Sequence, residues 1–209
     1  MTLRQLHALT ATVLTAYAVV HMANHVVALG GIATHLAFME TARSIYRLPV
    51  VEAMLLGCVV IQLLSGLRLV ACSWNKPHDT VSRVQALSGA YILFFLGVHV
   101  TAVLVGRSSL GLDTNFYFAA AGFHVHPFQF FFAPYYLLGV LALFTHLGCA
   151  MYWRAQSAGR AAPLTWLGIP IAVGALVGVI IVSALTGAFY PVDVPSEYRA
   201  PFSRVLDGP

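Results

Sequence analysis

VQALSGAYILFFLGVHVTAVLV, residues 84–105, carries no charged side chain and holds a histidine at position 99. A helix rises about 1.5 Å per residue, so this run extends about 33 Å and crosses the roughly 30 Å hydrocarbon core of a bilayer. An imidazole in that setting is costly and marks a candidate functional residue.

The rest of the chain repeats the pattern. Apolar segments near 6–29, 50–72, 133–153 and 164–190 each reach spanning length. Only 9% of the 209 residues are charged, against about 25% in an ordinary soluble domain, which places the chain in a lipid bilayer. The predicted fold is all-α: a five-span membrane bundle over residues 1–190, with a polar, proline-containing tail over 191–209. Pro49 and Pro134 suit helix starts, and Pro170 falls inside the fifth span, where membrane helices tolerate proline. The first span is expected to be retained. Its apolar stretch is too long for a signal peptide and has no convincing cleavage site.

The connections are unequal. Segments 73–83 and 154–163 are short and polar, whereas 30–49 and 106–132 are long and aromatic. Aromatic side chains favour the membrane–water interface, so the 106–132 segment is expected to lie along the surface or cap a cleft. Arg4, Arg68, Lys76, Arg83, Arg154 and Arg160 fall on the N-terminal side; Arg43, Arg47, Arg107, Arg199 and Arg204 fall on the other. The positive-inside tendency then puts the N-terminus in the cytoplasm. The scattered basic residues form no nucleic-acid patch. Cys58, Cys72 and Cys149 form no CxxC or CxxCH pattern, which argues against covalent haem attachment and against a thiolate zinc site.

Three histidines fall deep in spans: His21 in the first, His99 in the third and His146 in the fourth. With the N-terminus inside, His21 and His99 lie roughly 12 and 9 Å from the outer ends of their helices, and so share a depth. Two imidazoles on different helices at one level can hold a haem iron from both sides. His146 lies roughly 10 Å from the inner end of its helix. The polar residue at or above that level in the second span is Gln62, with Cys58 one turn away. His25, one turn beyond His21, is either an alternative ligand or a neighbour of haem propionates or a quinone. An interhelical hydrogen bond is the plainer role for a lone histidine such as His146.

These residues resemble a family. The third span opens Arg83-Val-Gln85-Ala-Leu-Ser88-Gly89 ahead of His99. The first contains His21-Met-Ala-Asn24, the second Gln62-Leu-Leu-Ser-Gly66-Leu, and the fourth Thr145-His146-Leu-Gly. Together they resemble the five-helix dihaem cytochrome b membrane anchor of succinate dehydrogenases and fumarate reductases. The resemblance implies that His21 and His99 ligate an outer haem b and that His146 is a ligand of an inner one. Gln62 stands where the family has the second-span histidine, and glutamine is a poor ligand for low-spin iron. The inner site is therefore left open: it is empty, holds a five-coordinate haem on His146, or recruits another ligand.

The resemblance also implies partners. An iron–sulfur subunit and a flavoprotein subunit would exchange electrons through this chain with a quinone pool, menaquinone being the expected quinone, in a bacterial cytoplasmic membrane. Bis-histidine ligation leaves no open iron position and so suits electron transfer. Arg83 could pair with a haem propionate or a partner subunit, or snorkel to the interface. Candidates for proton exchange with a quinone are Glu40 and Glu52, with His25 and His35. Glu52 also suits the first turn of its helix on dipole grounds. Lys76, His78 and Asp79 could face a partner. His124 and His126 form an H-x-H without an apparent third ligand, which favours a loop role over metal binding. The fifth span, without histidine or acid, is expected at the bundle's periphery. Two other readings compete: a haem-depleted structural anchor, motivated by Gln62, and a proton-relay or transport protein using the histidines.

Overall fold

The computed structural model describes residues 1–73 and 79–207, and every regular element among them is helical. In chain order the helices are α1 (Leu3–Val26, continued by a 3-10 turn at Val27–Gly30), α2 (Ile32–Tyr46), α3 (Pro49–Ser73), α4 (Thr80–Ser108), α5 (Phe116–Ala120), α6 (Gln129–Ser157), α7 (Thr165–Leu185) and α8 (Ser196–Asp207). Five of them, α1, α3, α4, α6 and α7, are long and apolar enough to cross a membrane.

Local chemistry sets the ends. Thr2 caps α1 in a reciprocal box: its hydroxyl accepts from the Gln5 amide, and the Gln5 side chain accepts from the Thr2 N–H at 2.8 Å. Gly31, at φ +102°, supplies the backbone conformation that turns the chain from α1 into α2. Asp79 caps α4 by accepting from the Ser82 N–H at 2.9 Å. Pro49 opens α3 as expected. Pro134 does not open its helix. The fourth span begins at Gln129, so Pro134 lies inside α6, a position that membrane helices tolerate for proline.

The bundle turns on α6. One side of α6 meets α4, where the Tyr135 hydroxyl donates to the Phe95 carbonyl at 3.1 Å and Trp153 Nε1 donates to Gln85 Oε1 at 2.9 Å. The other side meets α7 through small residues: a Cβ added at Gly178 would lie 3.0 Å from Leu137, and one at Gly148 only 3.0 Å from the Leu167 carbonyl. Close backbone approach of this kind replaces the hydrophobic drive that is lost inside lipid. On the opposite flank α3 joins α1 to α4. The fifth span also reaches α1 and its 3-10 turn.

The two ends differ in kind. The ends of α3 and α6 and the starts of α4 and α7 lie at one end. The other is closed by a cap of α2, α5, the 3-10 turn Ala121–Phe123 and α8, in which Phe116, Ala120, Val194 and Tyr198 are buried. Arg43 reaches Asp113 at 2.8 Å and Arg47 donates to Thr114 at 3.0 Å, tying α2 to the segment before α5. Asn115 caps α5 and donates to the Tyr198 hydroxyl at 3.0 Å. The aromatic segment thus folds into the cap, and the tail, which has no span of its own, docks on it through α8.

Candidate functional site

His21 on α1 and His99 on α4 meet near the cap end. Their ring centroids are 6.1 Å apart and their planes are inclined at 66°. Tyr17, one turn before His21 on the same helix face, stacks on it at 5.7 Å. Phe95 stacks on His99 at 5.2 Å, and Tyr136 meets that ring edge-on at 6.2 Å. Both imidazoles are half-buried, and neither makes a side-chain hydrogen bond among the described residues. They are held by ring packing, with their nitrogens uncommitted.

The row continues toward the cap. His25 is buried, 4.9 Å from His21 and 5.3 Å from His35. His35, only 2% exposed, accepts a hydrogen bond from the Asn24 amide at 3.1 Å and packs on Phe116. Its Nδ1 and the Asn24 carbonyl oxygen are buried without a hydrogen-bond partner among the described residues. Burial, with His21 and Arg43 nearby, holds the His35 imidazole down at about 4, so it is neutral at physiological pH. Four imidazoles from α4, α1 and α2 therefore form one continuous row. Among the described residues no group of three His, Cys, Asp or Glu side chains has the geometry to hold a metal ion by itself.

The two quinone-candidate acids separate. Glu40 is exposed and bonds Arg43 at 2.9 Å on the cap. Glu52, half-buried in the first turn of α3, forms an ion pair with Arg107 in the last turn of α4. Tyr46, Arg47, Glu52 and Arg107 all lie within electrostatic reach of Tyr17, and Tyr46 meets its ring at 5.5 Å. This polar group adjoins His21 and joins three helices.

At the deeper level, nearer the short connections, His146 on α6 donates from Nδ1 to the Gln85 carbonyl at 3.1 Å, with the Ser88 hydroxyl at 3.4 Å. Gly89 makes room for that ring: an added Cβ would lie 3.0 Å from its Cε1. Gln62 is committed to α1. Its amide donates to the His7 carbonyl at 2.6 Å and to the Thr10 hydroxyl at 2.8 Å. His7 itself bonds from Nδ1 to the Ser65 hydroxyl at 2.8 Å. Sequence reasoning passed over His7, because it lies one turn from the start of the first span and reads as an end residue. Arg83 is exposed and forms no ion pair among the described residues. Trp74, Lys76 and His78 lie outside the described residues.

No protein-family model, curated protein or solved structure matches this chain.

The H-x-H pair does not converge. His124 donates from Nε2 to the Leu185 carbonyl at 2.8 Å, tying the cap to the end of α7, whereas His126 is exposed and bonds Gln129.

The donor set at His21 and His99 can be tested against a six-coordinate iron. Metal–imidazole bonds are about 2 Å long. Two of them, with the nitrogen-to-centre distance in each ring, separate the ring centres by roughly 6 Å. The 6.1 Å between the two ring centroids is a separation of that size.

Proposed function

We propose that this chain is a membrane-anchor subunit that carries b-type haem and passes electrons between an iron–sulfur partner and a quinone pool. The observation that carries the reading is the His21–His99 pair: two imidazoles on separate spanning helices, with no competing hydrogen bonds and an iron-sized separation. Haem, when bound, supplies a one-electron carrier.

The chain's residues do the rest. His21 and His99 would hold the haem iron between them, an arrangement that suits electron transfer rather than oxygen chemistry. Tyr17 and Phe95 fix the planes of those two rings by stacking. Arg47 follows Tyr46, whose ring meets Tyr17 at 5.5 Å, and would there neutralise an acidic substituent of the bound group, whereas Arg107 is already paired with Glu52. Glu52 is the better placed of the two acids to exchange protons with a quinone at the cap end, because it adjoins this group, whereas Glu40 faces outward. The resemblance of the span motifs to the anchors of succinate dehydrogenases and fumarate reductases is what suggests that type of complex, with its flavoprotein and iron–sulfur subunits. The same resemblance suggests menaquinone as substrate and a bacterial cytoplasmic membrane, and the distribution of arginines suggests that the N-terminal side faces the cytoplasm.

The continuous row His99–His21–His25–His35 favours a second reading, a proton relay across half the membrane. Optical spectra separate the two. The purified full chain is expected to show a reducible low-spin b-type spectrum. A featureless visible spectrum, together with proton flux in liposomes, would replace the haem reading with the relay.

A further inference from the structure

The tail helix α8 has two working faces. One carries Tyr198 and Phe202 into the cap: Tyr198 is buried, and Phe202 packs on Phe128 at 5.1 Å and on Phe132 at 5.7 Å. Ser196, Arg199, Ser203 and Arg204 follow one another at helical spacing on the other. Together with His124 and His126 of the loop before α6 they line a cleft of about 590 Å³, a size that suits a small ligand or a headgroup. Among the described residues no carboxylate lines this cleft. Arg199 and Arg204 are exposed and form no ion pair among the described residues.

The lining is a set of donors. An amide NH₂ only donates, so the bond from Gln129 to His126 Nδ1 at 3.2 Å leaves the His126 proton on Nε2. The two serines add hydroxyls, and the two guanidinium groups match phosphate oxygens in pairs. Ser196 opens α8, so the positive end of that helix meets the same space. The depth of the cleft is also fixed. His124 donates to the carbonyl of Leu185, the last residue of α7, and α6 begins at Gln129, just beyond His126. Two spans therefore end at this level, where hydrocarbon gives way to headgroups. Phe130, 72% exposed, meets the His126 ring edge-on at 6.0 Å and carries the apolar surface of α6 away from the cleft.

We infer that this cleft binds the phosphate of an anionic phospholipid from the cap-side leaflet. Arg199 and Arg204 hold the phosphate, His126 Nε2 and the Ser203 hydroxyl donate to its remaining oxygens, and an acyl chain leaves past Phe130 along α6. A free phosphate ion would use the same donors but not the apolar surface beside them, and that surface is what favours the lipid. The bound lipid bridges α8 to the loop before α6, and so holds the tail against the cap that covers the histidine row. Nothing in this site depends on haem.

The test is lipid retention by the full chain, purified in a neutral detergent, exchanged into micelles holding phosphatidylglycerol or phosphatidylcholine, and read by native mass spectrometry. One phosphatidylglycerol per chain should be retained in preference to phosphatidylcholine. A cation beside an anionic lipid surface contributes about a fivefold gain in binding, so Arg199→Gln combined with Arg204→Gln should weaken retention about 25-fold. Arg4→Gln combined with Arg68→Gln makes the same charge change on exposed residues at the other end of the bundle and should leave retention intact. Should the first pair fail to accumulate, Ser203→Glu, which adds a carboxylate to the cleft and removes no arginine, should abolish the preference by itself. Equal retention of the two lipids by the wild-type chain would overturn the site. So would a preference that survives the cleft variants, or one that falls equally in the Arg4 and Arg68 pair. Displacement of the lipid by inorganic phosphate, but not by chloride at equal ionic strength, would make this a soluble-phosphate site. A polyglutamate peptide that binds in the lipid's place, and is lost with Arg199 and Arg204, would make it a protein-docking surface. Either of these two results overturns the lipid assignment.

Discussion

The Phe95 ring lies parallel to His99, 5.2 Å away with planes within 11°, and Gly139 of α6 is what lets it do so. A Cβ at position 139 would run into the Phe95 ring. Gly139→Ala should therefore push Phe95 toward His99 and tilt that imidazole. The expected result is a shifted low-spin signal for the outer haem, with helix content unchanged and stability lowered by about 1–3 kcal/mol, as overpacking typically costs. A signal identical to wild type would show that Phe95 does not orient His99.

His99→Ala removes one of two imidazoles without touching any interhelical hydrogen bond among the described residues. The chain should still insert, because all five spans keep their apolar length. One low-spin haem should be lost or become high-spin. Unchanged spectra would end the outer-site assignment. Tyr17→Ala offers the milder control: His21 keeps its position on α1 but loses its stacked neighbour, so binding should weaken without disappearing.

The cap should soften in acid. His35 is neutral in the folded chain, with its imidazole held down at about 4, whereas an exposed histidine protonates near 6.5. A group whose folded value is depressed contributes full stability above its unfolded value, and that contribution falls as pH drops from about 6.5 toward 4. The slope approaches about 1.4 kcal/mol per pH unit for one proton. Thermal unfolding in detergent across that window should show the loss, and His35→Asn should flatten it. An equal slope in the variant would assign the acid sensitivity elsewhere.

Much of this was legible beforehand because lipid imposes a simple rule. A spanning helix must be apolar for some 20 residues, so five helices, the depth match of His21 and His99, and the short connections could all be read from residue type alone. The cap was less legible. Its α2 helix is amphipathic and of ordinary polarity, and its order depends on Arg43, Arg47 and Asn115 finding partners 67 to 83 residues away. His7 stayed hidden for a related reason. Hydropathy starts the first span near residue 6, which leaves His7 at its very end, whereas the Thr2–Gln5 capping box carries α1 back to Leu3. Gln62 was visible as a departure, but its bonds to α1 are a tertiary fact that no spacing on α3 could disclose.

Glu52 and Glu40 can be told apart by one pair of isosteric variants. Glu52→Gln keeps an oxygen for Arg107 but loses the ability to take up a proton. The ion pair is partly exposed, at 31% and 27% for the two side chains, so its loss should cost under about 1 kcal/mol of stability. If Glu52 exchanges protons with the quinone, turnover with the partner subunits present should nevertheless fall at least about tenfold, since positioned acid–base groups typically contribute more than that. Glu40→Gln, exposed on the cap and bonded to Arg43, should leave turnover within about twofold of wild type. Haem content and spin state should be unchanged in both, which separates proton exchange from cofactor binding. Equal, small effects in the two variants would remove both acids from the quinone site and point to His25, the buried neighbour of His21, as the group to change next.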